Sequence, residues 1–333
     1  MVNDKLEPIT PLIIPVETAF AQQPILMTAA APAPVKASPL HLDAAATTEE
    51  AFIAIISVCL RHAEANRPAV LNHQIEGVHQ MRVAFRRLRS GLNLFRPLIP
   101  RSVSAEWTDH ISRLNHVLGP ARDWDVFLED TLSPLLQRFP RKRGLILFQD
   151  KAEIIRQSHY QALQDRLVEP AYVLFAQRLG DWLARCDWRE ALTDRQRARL
   201  AEPVLAFATP LLEHDYQRVV KQGRGFVEMS TAERHQLRIH IKKLRYALEF
   251  FASGYPAQAV KSLLGTLSRL QDCLGVMNDI TVTQRLLGEA GLTCASAARQ
   301  VIEGWCGCRL DSQERQFAEL WRPFMAHERP WKD

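Results

Sequence analysis

The segment VHQMRVAFRRLRSGLNLFRPLIP at residues 78–100 decides the fold, because it returns as RHQLRIHIKKLRYALEFFASGYP at residues 234–256. Each copy places apolar residues three and four positions apart, the spacing of one face of an α-helix. Each copy also ends at a proline, which cannot continue a helix. The sequence therefore predicts one basic amphipathic helix that occurs twice.

A second match follows the first at the same distance along the chain. Residue 78 aligns with residue 234, an offset of 156, and that offset also aligns LNHVLGPARDWDV at 114–126 with LQDCLGVMNDITV at 270–282. Two ungapped matches at one offset indicate an internal repeat. We therefore expect two similar halves, residues 47–190 and 191–326, that pack about a pseudo-twofold axis and present their basic helices to a shared groove.

Helical spacing of apolar residues begins at Thr48 and continues through most of the remaining chain. The alternation of Val, Ile and Thr that is typical of strands is missing. The sequence therefore predicts an all-α helical bundle of two repeated four-helix halves. The predicted helices span 48–68, 76–95, 104–118, 123–138, 143–168, 171–185, 194–222, 231–252, 257–274, 279–289, 293–308 and 311–326.

The composition is that of an ordinary soluble globular protein, with 47% hydrophobic and 24% charged residues in 333. This balance excludes collagen-like, mucin-like and wholly disordered classes. The net charge is +5, and the charge is unevenly distributed. Residues 1–46 are rich in Pro and Ala and carry two lysines against four acidic residues, a net charge of −2, which leaves +7 for the rest. We predict a poorly ordered leader or linker at 1–46 and a short tail at 327–333.

Targeting and redox signals are weak. The apolar runs are too short for a membrane helix, and the leader is interrupted by acidic residues and prolines, so we expect neither a membrane anchor nor a secretory signal. The six cysteines lack the paired C-x-x-C spacing of zinc sites. They are typical of reduced thiols in a cytoplasmic protein, and we predict neither a metal nor a cofactor.

Basic residues on each repeated helix form a ridge beside the apolar stripe when they are placed on a helical wheel. The first ridge contains His79, Arg82, Arg86 and Arg89, and the second contains His235, Arg238, Lys242 and Arg245. Arg87 and Lys243 lie off these ridges.

Like charges at these spacings oppose helix formation, so the two ridges indicate an anionic ligand. Asp123 and Asp279 could instead neutralise the ridges internally. We expect each of these aspartates to cap the next helix or to orient an arginine. A row of guanidinium groups suits a chain of phosphates better than one small anion. Nucleic acid fits less well, because single-strand binders add aromatic stacking platforms. Among the aromatic residues near the ridges, Tyr246, which adjoins Arg245, is the exception that does not lie on the apolar stripe, and we interpret it as a supporting site residue.

These repeated segments resemble the hallmark helices of the CHAD family, the conserved histidine α-helical domain. The resemblance covers about residues 47–326. It implies two four-helix halves around a basic central cavity, binding of inorganic polyphosphate, and association with bacterial polyphosphate granules. The positions that match the basic motifs are His79, Arg82, Arg86, Arg87, Arg89, His235, Arg238, Lys242, Lys243 and Arg245. Supporting basic positions in the resemblance are Arg122, which becomes Asn278 in the second copy, Lys221 and Arg224.

Many relatives carry an upstream CYTH, or triphosphate tunnel, domain. A stretch of 46 residues is too short for that barrel, and its E-x-E-x-K signature is absent from this sequence. We therefore expect no triphosphatase activity from this chain, and a CYTH-type or other polyphosphate-metabolising protein becomes a possible separate partner.

The expected function is non-catalytic binding of polyphosphate. Two alternatives stay open at this stage. One is a metal-dependent phosphohydrolase that uses His79, His235, Asp123 and Asp279, although neighbouring arginines disfavour a bound cation. The other is a nucleic-acid-binding module, although no recognised nucleic-acid-binding signature is present.

Overall fold

The computed structural model describes residues 33–43, 45–294 and 296–332, and this part of the chain is all-α, as predicted. One isolated bridge between Thr47 and Pro203 is the sole β-type pairing within it. A π-helical turn at Leu128–Leu132 links α3 to α4. The α-helices are α1 (Thr48–Leu71), α2 (Ile75–Leu94), α3 (Arg101–Phe127), α4 (Ser133–Arg138), α5 (Arg143–Val168), α6 (Pro170–Arg185), α7 (Asp194–Leu200), α8 (Val204–Gly223), α9 (Thr231–Phe250), α10 (Ala257–Glu289) and α11 (Ala297–Ala326).

Local signals explain where the main helices begin. At the start of α1 the Glu50 N–H donates to the Thr47 hydroxyl, and the Glu50 carboxylate accepts from the Thr47 N–H at 2.8 Å. Ser230 and Glu233 form the same capping box at the start of α9. Because each box satisfies backbone donors that the first helical turn leaves free, it fixes the helix start.

Several predicted helix breaks are wrong. The predicted gaps near residues 120, 276 and 309 lie inside the continuous helices α3, α10 and α11. Pro120 removes one backbone hydrogen bond from α3, but Leu118 and Trp124 on either side are fully buried, and their packing holds the helix together. Conversely, Pro203 separates α7 from α8 within the predicted helix 194–222.

The helix bounds repeat at the offset found in the sequence. Helices α1, α2 and α3 begin at residues 48, 75 and 101, and α8, α9 and α10 begin at residues 204, 231 and 257. Corresponding helices also touch each other: α1 contacts α8, α2 contacts α9, α3 contacts α10 and α5 contacts α11. A twofold axis between similar halves would produce such contacts, and the pseudo-symmetry itself stays a prediction. Helices α6 and α7 connect the halves and pack on α1.

Three apolar clusters form the core. The first lies mainly in the first half, around Phe52 and Phe85, and the second lies in the second half, around Leu244 and Phe317. The third joins the ends of α3 and α5 to α10 and α11, with Trp124 among its fully buried residues. The halves therefore share apolar surface, and burial of that surface favours their association.

Parts of the predicted leader and of the predicted tail pack against the helices. The Val35 N–H donates to Asn66 Oδ1 at 3.0 Å, and Asn66 Nδ2 donates back to the Val35 carbonyl at 2.9 Å. At the other end, Trp331 is buried and donates to Glu213. The prediction of a poorly ordered leader is thus wrong for residues 33–43, while residues 1–32 lie outside the described part of the chain.

One ion-pair network ties the two basic helices together. The Glu249 carboxylate on α9 lies 2.5 Å from Arg87 Nη1 on α2 and 2.5 Å from Arg245 Nη1 on its own helix. The Arg87 guanidinium also stacks over the rings of Tyr246 and Phe250. Because the Arg87 side chain is only 10% exposed, its charge depends on Glu249 for compensation.

We predict that Glu249→Gln destabilises the protein by about 3 kcal/mol, because two arginines would lose their shared carboxylate in a partly dry site. Urea unfolding of the purified protein measures the loss. The matched control is Glu106→Gln, which removes the carboxylate from an exposed pair with Arg178 and is expected to cost less than about 0.5 kcal/mol. Equal losses in the two variants would contradict the structural role of Glu249.

Candidate anion-binding site

The candidate site lies where α2 meets α9. On each helix the apolar stripe faces the core of its own half, with Phe85 and Leu88 of α2 and Ile241 and Leu244 of α9 fully buried. The basic ridges run beside these stripes, and the two helices contact each other. Folding of the two cores therefore brings the two ridges into one shared site.

Four side chains form what we call the central cluster: Arg82 and Arg86 from α2, and Arg238 and Lys242 from α9. Burial lowers the pKa of Arg82, and Arg86 and Arg238 lower it further. Burial likewise lowers the pKa of Arg238, with a further contribution from Arg86. Cations from both halves thus lie close enough to repel one another, as a groove shared by two halves requires.

The central cluster has few acidic partners for its four cations. Within the described part of the chain, Arg86, Arg238 and Lys242 form no ion pair, and the buried Nε atoms of Arg86 and Arg238 have no hydrogen-bond partner. Arg82 Nη2 comes to 4.0 Å from Asp123 Oδ1. Buried donors are normally satisfied, so these guanidinium groups are available to an anion.

The pKa of Lys242 is shifted by its position in this cluster. Burial, together with the charges of Arg238, Arg86, Arg82 and Arg245, lowers the pKa of its ammonium group to about 7. Near neutral pH the free site therefore holds Lys242 partly deprotonated. A bound polyanion would stabilise the ammonium form and raise this pKa.

Two equivalent carboxylates lie together beside the cluster, lining one small cavity between α3 and α10. Burial raises the pKa of Asp123 and of Asp279, while Arg82 opposes the rise at Asp123 and Arg238 opposes it at Asp279. Arg285 Nη2 donates to Asp123 at 2.6 Å. Because α3 and α10 run through these positions without a break, the predicted capping role is wrong, and each aspartate instead interacts with an arginine.

The two ridge histidines have different surroundings. His79 is half-buried, and burial and the charge of Arg122 lower its pKa. Arg122 itself lies 3.8 Å from Glu129. His235 is exposed, and its Nδ1 lies 3.1 Å from Asn278 Oδ1. The two ends of the site therefore differ in charge, since Asn278 occupies the position that corresponds to Arg122.

Gly119 allows Arg82 to lie against α3. A Cβ atom at Gly119 would stand 2.9 Å from Arg82 Nη1, closer than van der Waals contact permits. The matching Gly275 has no atom within 4 Å of such a Cβ. The recurrence of this glycine in both copies was a sequence signal for close approach, but only the first copy uses it for its arginine.

Two predicted ligand positions have structural partners. Arg87 and Arg245 both form ion pairs with Glu249, and Arg245 also donates through Nε to Gln271 at 3.0 Å. Sequence reasoning missed this pairing, because a helical wheel describes one helix at a time and cannot place Glu249 between α2 and α9.

The remaining predicted positions lie outside the central cluster. Arg89 is exposed near Arg96 of the first half, and Lys243 is exposed on a groove that Arg96 also lines. Lys221 and Arg224 are exposed at the end of α8. These four cations can add to a positive surface, but they do not belong to the partly buried central cluster.

Tyr246 is not available to a ligand. It is only 1% exposed, and its ring packs beneath the guanidinium group of Arg245 at 4.9 Å. The interpretation of Tyr246 as a supporting site residue is therefore wrong.

The described residues contain no group of three or more side chains that could hold a metal ion. They also contain no helix long and apolar enough to span a membrane.

Comparisons with known proteins agree with this architecture. Residues 54–288 match the CHAD domain family. One similar structure is the crystal structure of the CHAD domain from the plant Ricinus communis, whose sequence is 32% identical. The match covers 90% of this chain and 98% of the Ricinus chain, with a TM-score of 0.76. PptA from Streptomyces chartreusis is 13% identical, covers 83% of this chain and 100% of its own, and has a TM-score of 0.62, which shows a shared fold. No protein of curated function matches the chain.

The family match covers more than half of the chain, and it includes both basic helices and the segments that follow them. The protein therefore belongs to the CHAD domain family.

Proposed function

We propose that the protein binds inorganic polyphosphate through the central cluster and does not itself cleave it. The observation that carries this proposal is the set of partly buried cations from two helices, three of which form no ion pair among the described residues, with the pKa of Lys242 lowered to about 7. These partly buried cations repel one another in the free protein, and a bound polyanion would reduce that repulsion. The CHAD family, which is associated with polyphosphate-related proteins, adds support.

A chain of phosphates suits the geometry better than a single phosphate does. Arg82 and Arg86 are one helical turn apart on α2, as are Arg238 and Lys242 on α9, so each helix offers two cations about 5–6 Å apart. Guanidinium groups bind phosphate oxygens in a bidentate manner. One flexible polyanion can therefore contact both helices at once, which favours long chains over orthophosphate.

The two alternatives have less support. Single-stranded nucleic acid would need stacking platforms, and Tyr246, the aromatic candidate, is buried. For a metal-dependent hydrolase, the candidate His79 has a pKa lowered by burial and by the charges of Arg122, Arg86 and Arg82, and these charges oppose a bound metal cation. Binding without hydrolysis fits these surroundings, and association with polyphosphate granules would follow from it.

We predict that Arg86→Gln combined with Arg238→Gln raises the Kd for long-chain polyphosphate roughly 100-fold at physiological salt. Two charge-assisted contacts would be lost, at about 1.5 kcal/mol each. Isothermal titration calorimetry measures the change, and a salt series should show a shallower dependence in the double variant, since fewer counterions are released.

The matched control is Arg89→Gln combined with Lys243→Gln, which removes the same number of charges from the same two helices. Both positions are exposed and lie outside the central cluster, so we expect less than about a threefold change in Kd. Equal losses in the two double variants would show a diffuse basic surface and contradict a defined site.

Polyphosphate binding should weaken as the pH rises above neutrality. Binding favours the ammonium form of Lys242, whose pKa is about 7 in the free site, so complex formation takes up a proton. Affinity is therefore highest below pH 7 and falls between pH 7 and the higher pKa of the complex, by at most about tenfold per pH unit. Fluorescence anisotropy with labelled long-chain polyphosphate from pH 6 to pH 9 measures this profile.

Lys242→Arg provides the control, because arginine stays charged throughout this range. Its affinity should be nearly independent of pH. If the wild-type profile is flat, or if Lys242→Arg retains the full fall in affinity, Lys242 is not the group that couples binding to protonation.

A further inference from the structure

A separate cavity opens beside one end of the central cluster, among α9, α10 and α11, with a volume of about 480 Å³. Its walls include polar groups from Gln236, Asn278 and Thr281 and apolar side chains from Met277 and Leu310. Cavities of this size and mixed lining are typical of sites for small organic ligands.

The first half carries different side chains at two corresponding positions. By the repeat alignment, Ile280 and Thr281 occupy the positions of Trp124 and Asp125. Trp124 is fully buried, and Asp125 accepts hydrogen bonds from Tyr160 at 2.8 Å and from the Arg156 guanidinium at 3.1 Å. The second half has exchanged the tryptophan for a smaller isoleucine and the charged aspartate for a neutral threonine, and the cavity lies beside these two residues.

The cavity adjoins the second basic ridge. His235 lines it and lies one helical turn before Arg238 of the central cluster. Arg234 also lines it: its Nη1 donates to Glu314, while its buried Nε has no hydrogen-bond partner among the described residues. A ligand whose phosphates contact Arg238 and Lys242 could therefore extend past His235 into the cavity.

We infer that this cavity binds the nucleoside part of a nucleoside 5′-polyphosphate whose phosphate chain lies on the central cluster. The inference rests on the proposed function, because it uses the same cations for the phosphates. Inorganic polyphosphate has no apolar part that would make use of Met277, Ile280 and Leu310. The amides of Gln236 and Asn278 and the hydroxyl of Thr281 offer both donors and acceptors, which suit the edge of a nucleobase and a ribose.

The test compares ATP, GTP and inorganic tripolyphosphate by calorimetry in magnesium-free buffer with a chelator. All three probes carry three linked phosphates, so the nucleoside is the difference between them. We expect at least one nucleotide to bind tenfold or more tightly than tripolyphosphate.

Leu310→Phe narrows the cavity without changing charge. We expect it to raise the Kd of the preferred nucleotide tenfold or more and to leave the Kd of tripolyphosphate within twofold, which also shows that the variant is folded. Ile154→Phe makes a similar enlargement on α5, where Ile154 is 71% exposed, and should change neither Kd. Arg86→Gln combined with Arg238→Gln should weaken both ligands, because they share the cluster.

The outcomes separate this inference from the proposed function. Tripolyphosphate binding with no nucleotide preference, or a preference that survives Leu310→Phe, would overturn the inference and leave the polyphosphate site standing. Nucleotide binding that survives the double variant would place the nucleotide elsewhere and also overturn the inference. Failure of all three probes and of long-chain polyphosphate to bind would overturn both.

Discussion

Repulsion between like charges at the contact of α2 with α9 is the constraint on which the rest of the structure depends. Arg82 and Arg86 meet Arg238 and Lys242 in a partly buried site, where burial and the charges of the neighbouring arginines lower the pKa of Lys242. Three apolar clusters hold the helices in place despite this repulsion. The core thus stabilises an arrangement that the charges alone would not adopt, which is common at functional sites.

The two copies of the basic helix have diverged in use. In the second copy Glu249 neutralises Arg245 and reaches across to Arg87, whereas the corresponding position in the first copy is Asn93. The repeat equivalent of Arg87 is Lys243 and that of Arg245 is Arg89, and both of these equivalents are exposed. One copy therefore supplies the carboxylate that joins the halves, and both copies supply the cations of the site.

Much of the fold could be predicted from sequence, because a repeat with helical spacing fixes both the element type and the correspondence between halves. That pattern predicts where α2 and α9 start. It also predicts that Arg86 and Arg238 lie in one shared site. Helix continuity through Pro120 could not be predicted, since it depends on burial of Leu118 and Trp124 against other elements. The pattern of single basic residues was likewise insufficient, because a helical wheel gives direction around one helix and no information on partners.

The distinction between ridge and site illustrates this limit. Arg82 and Arg89 share one ridge in sequence, but Arg82 lies over Gly119 in the cluster while Arg89 is exposed. Arg87, which lies off the ridge, is more buried than either and is held by Glu249. Tertiary contacts, and not helical periodicity, decide which cations are available to an anion.

The most direct test of the account is an NMR titration of Lys242 through its side-chain carbon and nitrogen signals, in the free protein and with bound tripolyphosphate. The account predicts a pKa near 7 in the free protein and a clear rise when the anion binds. An ordinary lysine pKa in the free protein, or a pKa that does not change on binding, would contradict the claim that the repelling cations of α2 and α9 form the phosphate site.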